Sequence, residues 1–251
     1  MLKDFTKEKY DIIIEAGQSN AEGSGFGPAK EPYRPKDTVW VMEQNGTIGV
    51  AADRVDGNLI RSDFALSFAD RYINAGLLRE GRKLLVLRTA VGGTGFLDEK
   101  WRPQDPLFLQ MLDMTQTALA LNPANRVVCL LWHQGETDAI LKADYDTHFH
   151  HLSTLIRLTR VSFGEIPFIA GDFVQQWEAE YADLCAPVVD AMRAVCKENE
   201  KCAFVETDGL PSNKQALCDV MPELEDTIHF SRQSLYELGQ RYFEAYKNIT
   251  E

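Results

Sequence analysis

Five short runs of apolar residues punctuate the chain: Asp11–Ala16 (DIIIEA), Lys83–Arg88 (KLLVLR), Arg126–Trp132 (RVVCLLW), Pro167–Gly171 (PFIAG) and Cys202–Glu206 (CAFVE). Runs without polar alternation predict strands covered on both faces by helices, as in a parallel sheet. Between them lie longer segments with apolar residues at helical spacing. Ser62 is placed to cap a helix reaching about Asn74, with Phe64, Ala65, Phe68, Ala69 and Tyr72 on one face. Further helices are predicted over Pro106–Leu121, Tyr145–Thr159, Ala186–Glu198 and Ser231–Tyr246, the last with Ser231 as N-cap. This alternation predicts an α/β fold, a central five-stranded parallel sheet between layers of helices.

One region breaks the pattern. Between Gly23 and Arg61 the chain is rich in Gly, Pro, Asn and Asp, with a single strand-like stretch at Thr38–Gln44 and a hairpin-turn signal at Asn45-Gly46. It has no apolar core of its own. Residues 23–61 are therefore expected to be an insertion after the first strand, and residues 1–251 a single domain.

Composition narrows the function classes. With 45% hydrophobic and 25% charged residues among 251, the chain is neither disordered nor fibrous. Its net charge of −12 argues against a general nucleic-acid or anionic-membrane binder, which needs clustered Lys and Arg. Cys129, Cys185, Cys196, Cys202 and Cys218 are odd in number and form no Cys-x-x-Cys pair, which suits reduced buried thiols better than disulfides or zinc. The charged N-terminus lacks an apolar signal region, and the longest apolar run, Val127–Trp132, is too short to span a bilayer. A cytoplasmic location is expected. His148 and His151 share a helical face but have no third ligand at suitable spacing, with His150 between them, so neither metal nor cofactor is expected. His133, ending a buried strand, reads as a hydrogen-bonded structural histidine.

In an open α/β sheet, sites form beyond the carboxyl ends of the strands. There the chain carries Gly17-Gln18-Ser19-Asn20, then Gly92-Gly93-Thr94, then His133-Gln134-Gly135-Glu136-Thr137-Asp138, and, before the last helix, Asp226-Thr227-Ile228-His229. A serine in a strand-to-helix turn exposes its hydroxyl beside its own N–H, so Ser19 is the candidate nucleophile. A free hydroxyl needs a base, for which His229 is the choice; Asp226, three residues earlier, can accept from its Nδ1. Gly93 can bring a backbone N–H close to a developing oxyanion, and Gln134 offers a neutral amide. Each fragment also has a plain structural reading. Turn serines and Asp caps are common, Gly92-Gly93 could be a flexible turn, and Gln134 could satisfy backbone at a strand end. A phosphate cradle is disfavoured, since no Lys-Ser/Thr follows the glycines.

Taken together, GQSN at 17–20, GGT at 92–94, WHQGE-T-D at 132–138 and D-x-x-H at 226–229 resemble the SGNH hydrolase superfamily. The resemblance is closer to its carbohydrate esterase family 6 and sialate O-acetylesterase-like branch, and it covers nearly the whole chain. It implies a flavodoxin-like three-layer α/β/α sandwich and a metal-free Ser-His-Asp triad of Ser19, His229 and Asp226. The implied oxyanion hole is Ser19, Gly93 and Gln134. Gln18 and Gln134 stand where the wider superfamily has Asp and Asn, and they mark the branch. In the last block Thr227 and Phe230 replace the Gly and Leu frequent in the branch, leaving the turn that carries Asp226 open; Glu15 or Glu136 are the other carboxylates that could orient His229. Asn20 and Glu136 are read as structural support of the site.

The function this implies is removal of O-acetyl groups from carbohydrates such as acetylxylan or acetylated sialic acids. An esterase for non-sugar short-acyl esters and a non-catalytic carbohydrate-binding protein are the alternatives. Small-molecule or oligosaccharide acetyl esters are the expected partners, with no nucleic acid and no membrane. For substrate contact the candidates are Phe96, Trp101, Trp177 and Gln175, with Tyr33 and Trp40 in the insertion; packing roles for Trp40 and Trp101 are the competing reading.

Overall fold

The structure, a computed structural model, describes residues 3–217 and 222–251; Cys218 lies outside them. Nine strands are assigned among the described residues: β1 (Tyr10–Gly17), β2 (Val39–Met42), β3 (Ile48–Val50), β4 (Arg54–Asp56), β5 (Leu59–Arg61), β6 (Lys83–Arg88), β7 (Arg126–His133), β8 (Phe168–Gly171) and β9 (Cys202–Val205). The helices are α1 (Ser19–Glu22), α2 (Ala65–Asn74), α3 (Pro106–Ala120), α4 (Glu136–Ile140), α5 (Tyr145–Phe163), α6 (Gln175–Glu180), α7 (Ala182–Glu198), α8 (Asn213–Leu217) and α9 (Arg232–Thr250).

All five predicted strands form, in the order β6-β1-β7-β8-β9, every pair parallel. The expected count of five is corrected to seven. β2 pairs parallel with β6, Val39 opposite Leu84, and β3 closes the edge antiparallel to β2. The extra strands come from the insertion, whose Asn45-Gly46 turn is tied by Glu43 N–H to the Thr47 carbonyl at 2.9 Å. Val39, Val41 and Met42 are buried against the sheet. The insertion therefore extends the central sheet, because a short apolar strand without its own core is stabilised by pairing with an open edge. Among the described residues, only the β4–β5 hairpin stands apart as a second, two-stranded sheet.

β1 is buried along its whole length, as its unbroken apolar run requires of a central strand. On one face α2 packs against α9, with Phe68 edge-on to Phe243 and Tyr246 at 5.7 and 5.6 Å. Ser231 caps α9 as expected, accepting from Ser234 N–H at 3.2 Å. Ser62 does not cap α2. Its hydroxyl is drawn to Asp53 at 2.7 Å, and Asp63 accepts from Leu66 N–H instead. Among the described residues no helix is long and apolar enough to cross a membrane.

Among the five predicted strands, taken in chain order, the spatial order is 2-1-3-4-5, whose direction reverses at β1 and β7. That reversal opens a crevice beyond their carboxyl ends. The GQSN and WHQGE segments leave the sheet there.

Candidate active site

Gly17 ends β1 at φ +128°, and a Cβ there would lie 2.1 Å from the His133 carbonyl oxygen. Only glycine lets β1 and β7 close so tightly while Gln18 N–H donates to that carbonyl at 2.9 Å. The chain then turns into α1, and Ser19 opens it. The Ser19 N–H, at the helix start, has no protein acceptor among the described residues.

Ser19 Oγ lies 2.8 Å from His229 Nε2. On the far side of the ring, Nδ1 lies 3.1 Å from Asp226 Oδ1, which also accepts the His229 N–H at 2.7 Å. The structure thus brings together Ser19, His229 and Asp226 across more than two hundred residues of chain. The Thr227 substitution has a partner of its own, since its hydroxyl donates to Glu180 Oε2 at 2.7 Å and ties the turn to the end of α6. Burial alone would raise the Asp226 carboxyl, but hydrogen bonds and charge attraction from His229, helped by Asn213, hold it below the ordinary range. Neither Glu15 nor Glu136 is hydrogen-bonded to His229; Glu15 sits instead in a buried charge group with Asp63 and Arg88.

Asn20 stitches this centre together. Its Nδ2 donates to Glu136 Oε1 at 2.8 Å and to the Ile228 carbonyl at 3.1 Å, and its Oδ1 accepts Phe230 N–H at 3.0 Å. The two backbone contacts flank His229. Glu136 is fully buried with Oε2 unpartnered, and this burial pushes its carboxyl up.

The Gly92-Gly93 loop stands beside the serine. A Cβ on Gly92 would be 3.5 Å from Ser19 Cβ, and Gly92 N–H donates to Glu22 Oε2 at 2.6 Å. Gly93 adopts φ +70°, and its own N–H has no protein acceptor among the described residues. Gln134 is buried, and its Nε2 donates to Asp138 Oδ2 at 2.9 Å while its Oε1 is unpartnered. One of its two amide hydrogens is therefore committed to Asp138.

Three positions of consequence receive no role in the motif-by-motif reading, although Asp138 closes the third block. Asp138 accepts Phe96 and Leu97 N–H at 3.0 and 2.8 Å as well as Gln134, fastening the Gly93 loop to the third block. Its signal was its place four residues after Gln134. Asn213 donates to Asp226 Oδ2 at 3.1 Å and to the Ser24 carbonyl at 3.0 Å, and accepts Phe26 N–H. Glu22 holds Gly92 and faces Arg54 at 3.7 Å. For Asn213 and Glu22 the sequence offered no signal beyond residue type.

The aromatic candidates fare differently. Phe96 and Trp101 are buried: Phe96 stacks on Trp132 and His151, and Trp101 donates Nε1 to Thr94 at 2.9 Å and packs edge-on to Trp132. Their faces are filled by protein, so the expectation that they meet a sugar is replaced by a packing role. Trp177 lines a groove of about 490 Å³ with Tyr181, Asp226 and Ile228, whereas Gln175 is half-buried and does not line it. Tyr33 is buried, its N–H bonded to Tyr236, and Trp40 is half-buried beneath the Lys3 ammonium.

A profile of the family described as carbohydrate esterase, sialic acid-specific acetylesterase matches residues 9–248. The chain belongs to this family. A stretch of 92 residues is 26% identical to a probable 9-O-acetyl-N-acetylneuraminic acid deacetylase of Escherichia coli (strain K12), covering 33% of this chain and only 28% of that protein. The crystal structure of NanS superposes with a TM-score of 0.77 at 17% identity, covering 96% of this chain and 98% of that one. A protein of Arabidopsis thaliana gives 0.72 at 18%, with the same coverage. A carbohydrate acetylesterase of Xanthomonas citri gives 0.64 at 15%, covering 95% of this chain and 56% of that one. These structures share its fold.

Proposed function

We propose that the chain is a serine esterase that removes O-acetyl groups from a carbohydrate through an acyl-enzyme. The observation that carries this is the relay from Ser19 Oγ to His229 Nε2, 2.8 Å, and from His229 Nδ1 to Asp226, 3.1 Å. His229 takes the Ser19 proton as Oγ attacks the acetyl carbonyl carbon. The negative charge on the former carbonyl oxygen is met by the free N–H groups of Ser19 and Gly93 and by the Gln134 amide hydrogen not held by Asp138. Collapse breaks the bond to the sugar oxygen, which takes the proton back from His229. Water, deprotonated by the same imidazole, then cleaves acetyl-Ser19 and releases acetate. Asp226 keeps the His229 proton on Nδ1 and offsets the imidazolium charge, and Asn20 with Glu136 holds the serine turn against the histidine loop.

Residues 1–251 act in this reading as one catalytic domain, with the insertion supplying its edge strands and the β4–β5 hairpin. A reducing, cytoplasmic setting is supported by Cys129, Cys185, Cys196 and Cys202, all buried free thiols. Hydrolysis of a chromogenic acetate by the wild type and Ser19→Ala tests the assignment. Loss of about a thousandfold or more in kcat is expected for the variant, and equal rates would overturn the nucleophile.

A further inference from the structure

We propose that His148 is a positioning residue for the oxyanion hole, acting through Asp138 on the Gln134 amide and the Gly93 loop. The proposal rests on Ser19 being the acyl-transfer residue. It assigns a role to a buried histidine of α5 that lies outside the triad.

Asp138 ties two of the three oxyanion donors to one carboxylate. Its Oδ2 accepts Gln134 Nε2 at 2.9 Å, and its Oδ1 accepts Phe96 and Leu97 N–H at 3.0 and 2.8 Å. Gly95 allows this approach, since a Cβ there would lie 2.7 Å from Asp138 Oδ1 and 2.9 Å from Gln134 Nε2. Both donors are also tied to the nucleophile. Gln134 follows His133, the residue opposite Gly17 in the β1–β7 register. Gly92, next to Gly93, is so close to the nucleophile that a Cβ on it would be 3.5 Å from Ser19 Cβ.

A buried carboxylate needs compensation. The need is greater here, because the amide it holds faces a developing anion of the same sign. Burial by itself would raise the Asp138 carboxyl, but attraction from His148 and the Leu97 and Phe96 N–H groups hold it below the ordinary range. Two other groups that act on Asp138, Asp98 and Glu136, are acids, and His151 stacks on the Phe96 ring. His148 is the basic side chain in reach: its Nδ1 lies 3.5 Å from Asp138 Oδ2, with both side chains closed to solvent. That separation is longer than a formed hydrogen bond, and neither ring nitrogen has a hydrogen-bond partner among the described residues. An ionised carboxylate only accepts, so the nitrogen facing it is the one that carries a proton. Phe96 packs edge-on to the ring at 5.4 Å and fixes its plane. The Nδ1 proton thus offsets the charge of Asp138 and holds Oδ2, and with it the Gln134 amide, in place.

The test compares hydrolysis of a chromogenic acetate by the wild type, His148→Phe and His148→Gln. Phenylalanine keeps the packing against Phe96 but has no N–H, whereas glutamine packs less well but can donate to Asp138. His148→Phe should lose about tenfold or more in kcat with KM little changed, because the oxyanion forms only beyond the ground state. His148→Gln should recover most of that loss. A packing role predicts the reverse order, and that order overturns the proposal, as does a loss confined to KM. The matching thionoacetate gives a second readout, since a sulfur anion fits donors placed for oxygen poorly. His148→Phe should lower the wild-type preference for the oxygen ester by about threefold or more; an unchanged preference overturns the proposal. In an Asp138→Asn background His148→Phe should cost less than about twofold further, and a full additional loss also overturns it. Long-range proton–nitrogen NMR of the histidine-labelled wild type, with His148 assigned through the backbone, needs no variant to fold. A proton on Nδ1 is expected, and a bare Nδ1 overturns the proposal while leaving the serine esterase standing. Absence of wild-type turnover on the acetate would count against the esterase itself.

Discussion

Asn20 donates to Glu136 across 2.8 Å in a pocket closed to solvent, while the same side chain grips the backbone on both sides of His229. The nucleophile turn, the third sequence block and the histidine loop therefore meet at one amide. Asn20→Ala would leave Phe230 N–H and the Ile228 carbonyl without their partner and free the histidine loop to drift from Ser19. Misplacement of about 1 Å can cost on the order of a hundredfold in rate. The expected outcome is a fall in kcat on chromogenic acetate of about tenfold to a hundredfold with KM little changed. Urea unfolding should show a loss of about 1–3 kcal/mol. A wild-type kcat would remove Asn20 from the positioning machinery.

Glu136 should hold its proton to higher pH than an exposed carboxyl does. Burial raises its carboxyl, and among the described residues only Asn20 donates to its side chain from elsewhere in the fold. The sign follows. A carboxyl raised in the folded state binds its proton more tightly there than when unfolded, so stability declines as pH climbs from the ordinary carboxylate value toward the folded one. Glu136→Gln keeps the shape and cannot ionise. It should unfold at no lower urea concentration than the wild type at pH 7 and flatten the decline expected as pH rises above the ordinary carboxylate value. A strongly destabilised Glu136→Gln would mean that the charge itself is needed.

Asp226→Asn probes the other side of the imidazole. His229 and Asn213 hold Asp226 below the ordinary carboxylate range, so it remains ionised into acid and keeps the proton on Nδ1. Asparagine can present its NH2 to that nitrogen and favour the wrong tautomer. A kcat loss of about a hundredfold to ten-thousandfold is expected, with acetate KM near that of the wild type. Asn213→Ala, which removes one bond to the carboxylate and leaves the charge, should cost far less. Comparable losses in the two variants would point to collapse of the loop instead of loss of the orienting charge.

What the sequence revealed, and what it did not, follows from the range of each interaction. The five buried strands were legible because strands packed on both faces must be apolar throughout, as β1 is. β2 and β3 were read as part of an insertion because four and three residues carry little pattern, and their stability comes from pairing with β6, which no local signal announces. Ser19, His229 and Asp226 could be named from short motifs whose chemistry restricts residue type. Glu22 and Asn213 could not, since each acts through contacts with chain far away in sequence: Gly92 for the first, Ser24 and Phe26 for the second. Phe96 and Trp101 misled for a related reason. A loop aromatic beside a catalytic block looks like a sugar platform, yet here both rings fill the space over Trp132.

His133 supplies an acid-sensitive element of stability independent of catalysis. Tyr242 hydroxyl donates to the Trp132 carbonyl at 2.8 Å and lies 2.9 Å from His133 Nδ1, so its oxygen is left to accept the Nδ1 proton. The ring is then neutral with a bare Nε2, buried without a hydrogen-bond partner. Burial drives its pKa down to about 3. Because a histidine in the unfolded chain takes up its proton near 6.5, the unfolded state binds more protons from about pH 6.5 down to about 3. Stability should fall through that window as pH falls, by up to about 1.4 kcal/mol per pH unit from this one group. Urea unfolding of the wild type and His133→Gln at pH 7 and pH 5 measures it. The variant should start less stable at pH 7, having lost a fitted ring, but should lose less on acidification. Parallel declines in the two proteins would assign the acid sensitivity to other groups.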